Sequence, residues 1–154
     1  MLLLAAGAAA GASPRVTARW SCADANGGFT YLSGDVRVAD DACEIHASRA
    51  YVYLDGAAEL KKAVAFGNVA VTNGTRRAYG AAVSYFRDEG IVVVSSGAGR
   101  AAEVHDGAGD DLTVVRGARI RFRTHGGQAD VLEAESKASE QKGVRGGFNR
   151  TFGN

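Results

Sequence analysis

The sequence predicts an all-β chain made of repeated antiparallel hairpins, folded as a sandwich, jelly roll or open barrel. Two observations carry that prediction. Short stretches in which apolar and polar residues alternate recur along the chain, separated by turns every 8–12 residues, with 21 glycines and a single proline. The second is a repeat. Gly34-Asp35-Val36-Arg37-Val38, the turn Asp40-Asp41 and a return from Ile45 to Tyr53 are followed by Gly67-Asn68-Val69-Ala70-Val71, the turn Thr72-Asn73-Gly74-Thr75 and a return from Arg77 to Phe86. A repeat of that length is a unit unable to bury its apolar face alone, so its copies must stack.

The elements follow in order. Val16 to Trp20 reads as a first strand, Ser21 to Gly28 as a polar turn, and Phe29-Thr30-Tyr31-Leu32 as a strand entering the first repeat. Ile45 and Ala47 share one face of the return strand, but beyond Arg49 the apolar parity moves to Ala50, Val52 and Leu54. A period of two that slips by one signals a β-bulge, which bends a sheet. Ala57 to Val64 is the one stretch with helical composition. It is too short to hold a helix alone and reads as a loop or strand edge. Ile91-Val92-Val93-Val94 reads as a strand buried on both faces. Ala101 to His105 and Leu112 to Arg116 are further strands. Gly117 to Arg123 alternates cleanly, with Ile120 and Phe122 inward, and Ala129 to Glu133 closes the series.

At 154 residues and 15.9 kDa the chain forms one domain with a substantial core. A net charge of +1 gives no global attraction to nucleic acid. Residues 1–12 carry a short apolar run, Leu2 to Ala10, before the small residues Gly11 and Ala12, as in a secretory signal peptide. No Lys or Arg precedes Leu2, so retention of the segment as an anchor stays open. The domain occupies 13–135. Residues 136–154 are rich in Lys, Glu, Gly and Ser and read as a disordered polar tail.

Cys22 and Cys43, with no CxxC, suit one disulfide in an oxidising compartment, two free thiols being the alternative. No nucleophile elbow, zinc motif, Walker loop or dinucleotide fingerprint occurs, and His46, His105 and His125 are scattered, so the residues point to no catalysis, no metal and no cofactor. Gly97-Ala98-Gly99 runs on into β structure and reads as a turn. The loop Asp106 to Asp111 lacks the spacing of a calcium site. Arg119, Arg121 and Arg123 lie on one face of one strand, about 6.6 Å apart. They form either a solvated face or a ladder able to grip phosphates.

The repeat resembles the LptA/OstA family of lipopolysaccharide-transport proteins. The residues that carry the resemblance are a glycine followed by Asp35 or Asn68, the alternating valines, and the return strands Ala47 to Tyr53 and Gly80 to Tyr85. Val92 to Ala98 and Gly117 to Phe122 follow in the family's order. The resemblance spans Val16 to Glu135. It implies a twisted β-jelly roll, open at both ends, in the periplasm. It also implies lipid A acyl chains bound between the two sheets, and other components of the transport machinery as partners at the inner and outer membranes. Head-to-tail pairing of terminal strands into a homo-oligomeric bridge is implied as well. The candidate lining is Val36, Val38, Ile45, Val52, Val69, Val71, Val83, Tyr85, Val93, Ile120 and Phe122. The competing readings are a membrane-tethered component of the same pathway and a secreted β-sandwich that binds carbohydrate or protein on its outer face. Tyr51 and Tyr53, on the side opposite Val52, are the sequence hint of such a platform.

Overall fold

The computed structural model describes residues 14–26 and 28–133. The signal segment and the polar tail read from the sequence lie outside the described residues. Among the described residues eleven strands run as β1 Arg15–Thr17, β2 Trp20–Ala23, β3 Phe29–Ala39, β4 Glu44–Leu54, β5 Leu60–Asn73, β6 Arg76–Phe86, β7 Ile91–Ser95, β8 Ala102–Asp106, β9 Thr113–Gly117, β10 Arg119–Arg123 and β11 Asp130–Glu133. All of the pairings are antiparallel. The repeat is therefore a pair of long hairpins, β3–β4 and β5–β6, in the middle of one twisted open sheet.

The sheet folds over because its long strands bend at mid-length. On β3 the register jumps from Ser33 to Val36, and on β5 from Phe66 to Val69, so two residues there oppose one on the returning strand. Those pairs are the residues that head the sequence repeat. Gly34 and Asp35 have φ +79° and +45°, and Gly67 and Asn68 have +78° and +47°. Glycine enters the left-handed region freely, and Asp and Asn tolerate it best among the rest. A Cβ on Gly67 would also stand 3.0 Å from the Ser48 side chain. The returning strands bend by the predicted parity slip instead: β4 buries Ile45 and Ala47, then Ala50 and Val52, and β6 buries Ala78, then Val83 and Tyr85.

The bends align into a crease that divides the sheet into two facing layers. The first layer holds β2, residues 29–33, 49–54, 60–66 and 82–86, then β7, β10 and β11. The second holds β1, residues 36–39, 44–47, 69–73 and 76–80, then β8 and β9. Together they form the twisted open β-jelly roll, with the core between the layers.

Several expectations need correction. Trp20 opens β2 rather than closing the first strand, and the predicted turn after it starts only at Asp24. Leu60–Val64, read as a loop or strand edge, is the start of the longest strand. The four-residue run in β7 is not buried on both faces, since Val92 and Val94 are buried while Ile91 and Val93 are half-buried.

The disulfide is absent. Both cysteines are free thiols, Cys22 exposed and Cys43 buried. Cys22 pairs with Tyr31 on the outer face of the first layer, whereas Cys43 packs in the core beside β4. A bridge needs Cα atoms within about 7 Å and converging Cβ vectors, and spacing in sequence says nothing of either. Burial pushes the Cys43 thiol up to about 12, with the carboxylate of Asp40 adding to the effect. An unfolded chain would release that proton from about pH 9. The thiol's contribution to stability is therefore complete below pH 9 and is lost as pH rises through 12. Two outcomes are expected: Cys22 alkylates at pH 8 while Cys43 reacts only on unfolding, and Cys43→Ala flattens the fall in urea midpoint between pH 9 and 12.

Candidate functional site: the slot between the two layers

The inner faces of the two layers carry three files of side chains that cross the sheet strand by strand. In the second layer Val16, Val38, Ile45, Val71, Ala78, Val104 and Val115 stand opposite one another from β1 to β9. In the first layer one file is Leu32, Ala50, Ala65, Val83, Val94, Ile120 and Val131, ending on β11. The other runs Thr30, Val52, Ala63, Tyr85, Val92 and Phe122. Val36 and Val69 fill the space beside the crease, opposite Ala47 and Gly80.

Ten of the eleven lining residues expected from the sequence therefore share one interior, each at most 2% exposed. Val93 is the exception. It pairs with Ser84 and Arg121 on the outer face, and its neighbours Val92 and Val94 point inward. A run of four β-branched residues has no polar member to set its phase, so its facing depends on the strands beside it.

Opposite the crease, the mouth between the layers is fastened by polar groups. The Asp40 side chain is fully buried. Its Oδ1 accepts the backbone N–H of Ala42 and of Cys43 at 2.8 and 3.0 Å, which makes the tight turn between β3 and β4. Its Oδ2 accepts the Tyr85 hydroxyl at 2.7 Å from the other layer, with the Arg87 guanidinium 3.7 Å away. Burial first, and then that hydrogen bond, raise the Tyr85 phenol above its ordinary range.

A second fastening centres on Arg76, which is 7% exposed. It is ion-paired to Asp106, donates to the carbonyls of Arg123 and Gly127 at 3.1 and 2.6 Å, and lies 5.2 Å from the Phe122 ring centroid. The sequence reading missed both fastenings. An arginine on the parity of Ala78 was the available signal for the second, because a charge on an inward position requires partners.

The outer surfaces differ from the interior. Arg119, Arg121 and Arg123 point outward as expected, with Arg121 3.3 Å from Asp130. Two clefts, of about 510 and 600 Å³, open on the outer side of the second layer near the crease. Tyr79, Arg100, Glu103 and His105 help line the first, and Asp35, Arg37, His46 and Ser48 the second. Neither lies between the layers. Tyr51 and Tyr53 stand together on the outer face of the first layer.

An antiparallel roll folded over an apolar lining that runs from one terminal edge to the other defines the class: a β-jelly roll of open-edged, two-layer type. The chain belongs to the family described as LptA/(LptD N-terminal domain) LPS transport protein, whose model matches residues 15–128. Among solved structures it is similar to LptH from Pseudomonas aeruginosa, described as the LptA homologous periplasmic component of the conserved lipopolysaccharide transport device. That likeness has a TM-score of 0.65 at 18% identity and covers 82% of this chain and 86% of the other, which supports the fold. No curated protein matches the sequence.

Proposed function

We propose that this protein is a non-catalytic periplasmic carrier of lipopolysaccharide that shelters lipid A acyl chains between its two layers and takes part in a bridge between inner and outer membranes. One observation carries the reading: the files of side chains that cross both layers hold no charge, and their polar groups are few. These are Thr30 and, beyond Leu32 on β2, Ser21 at one end, and the Tyr85 hydroxyl, which Asp40 holds at the mouth. Exposing a 12-carbon chain to water costs on the order of 10 kcal/mol, at about 0.8 kcal/mol per methylene. A carrier must replace that water by a dry surface continuous along the chain. The side chains here pack against one another, so loading parts the layers at the fastened mouth and exchanges protein–protein for protein–acyl contacts.

The test is direct. Protein incubated with lipopolysaccharide and re-isolated by size exclusion is expected to carry lipid A in near-stoichiometric amount, detected by mass spectrometry. It is also expected to lose that lipid to an excess of fatty-acyl competitor but not to free saccharide. Protein that returns without lipid would remove the carrier assignment while leaving the fold and family intact. N-terminal sequencing of exported protein separates the free carrier, which begins at Ser13, from a tethered one.

Assembly is supported by where apolar residues are exposed. Trp20 lies on the terminal strand β2, while Val114, Val131 and Leu132 lie on β9 and β11 at the opposite end of the sheet. Unpaired strand edges with apolar side chains are templates for pairing with another chain. Head-to-tail joining would carry the apolar files from one copy into the next. Val114→Lys with Val131→Lys is expected to weaken self-association tenfold or more by light scattering, without changing the fold.

A further inference from the structure

The outer faces of the two layers are chemically unlike each other. The second layer wears paired charges: Glu44 is beside Arg37 and His46, and Glu103 holds His105 and Arg116 at 3.0 and 2.7 Å. The first layer is aromatic and basic. Trp20, Tyr31, Tyr51 and Phe66 form a ladder of ring contacts with centroids 5.8, 5.1 and 6.2 Å apart, crossing four strands. Phe29 and Tyr53 join it, and the Lys62 ammonium lies 5.7 Å from the Tyr53 ring and 5.1 Å from that of Phe86.

The register carries the face further. Tyr51 is opposite Val64, and beyond it come Ser84, Val93 and Arg121. Ser33 is opposite Arg49, which leads to Phe66. The first carboxylate met along these rows is Asp130, on the far terminal strand.

We infer that this outer face of the first layer is a docking surface for an anionic lipid bilayer. Tyrosine and tryptophan rings with one wet end favour the headgroup level, and cations among them are drawn to anionic lipid. Val64, Ile91 and Val93 extend the apolar surface with aliphatic groups, which suit the acyl boundary and offer a sugar nothing to stack on. Strands spaced about 4.8 Å apart make the face roughly 30 Å across, with Trp20 exposed and the other rings and aliphatic groups half-buried. This site is separate from the slot between the layers, so it stands or falls independently of lipid A binding.

The single Trp20, 56% exposed at the edge of the ladder, is a built-in reporter. The full chain is mixed with vesicles of phosphatidylcholine alone or with 30% phosphatidylglycerol. Binding by sedimentation is expected with the anionic vesicles, with a blue shift of tryptophan emission and at least tenfold loss on raising salt from 50 to 300 mM. Arg49→Glu with Lys62→Glu is expected to reduce that binding tenfold while lipid A loading is retained. Both proteins share the same first 13 residues, so the difference reads the face alone. Equal binding to neutral vesicles, no binding to either, indifference to the double substitution, or binding of a soluble phosphorylated oligosaccharide in place of vesicles would each overturn the proposal.

Discussion

Arg76→Met is expected to destabilise the domain by about 3 kcal/mol, the lower end of the cost of breaking a buried ion pair by removing one partner. Methionine fills much of the same volume against Phe122, so the loss is mainly polar. Two carbonyls, of Arg123 and Gly127, lose a buried donor, and Asp106 loses its counter-charge. Asp106 is 37% exposed on its side chain and recovers part of its solvation, which keeps the figure from the upper end of the range. Asp106→Asn is the control. It leaves the guanidinium its carbonyl partners and is expected to cost about 1 kcal/mol. Urea denaturation of both variants at pH 7 measures the difference, and equal effects would show that the carbonyl contacts contribute nothing.

Asp40→Ala is expected to cost a comparable amount, about 2–4 kcal/mol, through three losses at once. The turn between β3 and β4 loses the acceptor for two backbone N–H groups, the buried Tyr85 hydroxyl is left without its partner, and Arg87 loses a nearby carboxylate. Tyr85→Phe isolates one of these. It removes the hydroxyl that links the layers and keeps the turn, so about 1 kcal/mol is expected. The pair also reads function. If loading parts the layers at this mouth, Tyr85→Phe takes up a fluorescent acyl probe faster than the parent protein although it is only slightly less stable. An unchanged uptake rate would place the entry elsewhere along the slot.

What could be read without coordinates was set by local chemistry. The pairs Gly34-Asp35 and Gly67-Asn68 stood out as the heads of the repeat, and they proved to be the left-handed hinges of the crease. The parity slip after Arg49 and the alternation of Arg119 to Arg123 were legible because polar residues mark the phase in both. Val93 was not, because its neighbours in sequence are all β-branched. The start of β5 was hidden by Lys61 and Lys62, one tied to Asp88 and the other resting on aromatic rings. The fastenings at the mouth join residues 45 positions apart for Asp40 and Tyr85 and 30 for Arg76 and Asp106. No pattern in one sequence reports such pairings.

The aromatic face shows the same limit. Tyr51 and Tyr53 gave a hint of it, but Trp20, Phe29, Tyr31 and Phe66 join them only through the register of four strands. The cysteines erred for a related reason. Their spacing fitted a bridge, while the sheet put one on the outer face and the other in the core.

Site-specific photo-crosslinking tests the placement of the lipid most directly. Benzoylphenylalanine is introduced in place of Phe122 or Val38, inside the slot, and in place of Val93, on the outer face. The proteins are checked for native melting, loaded with lipopolysaccharide, freed of lipid aggregates by size exclusion and then irradiated. The interior positions are expected to crosslink lipid A and Val93 to give none. Crosslinks from Val93 with silence from both interior positions would mean that acyl chains never enter between the layers.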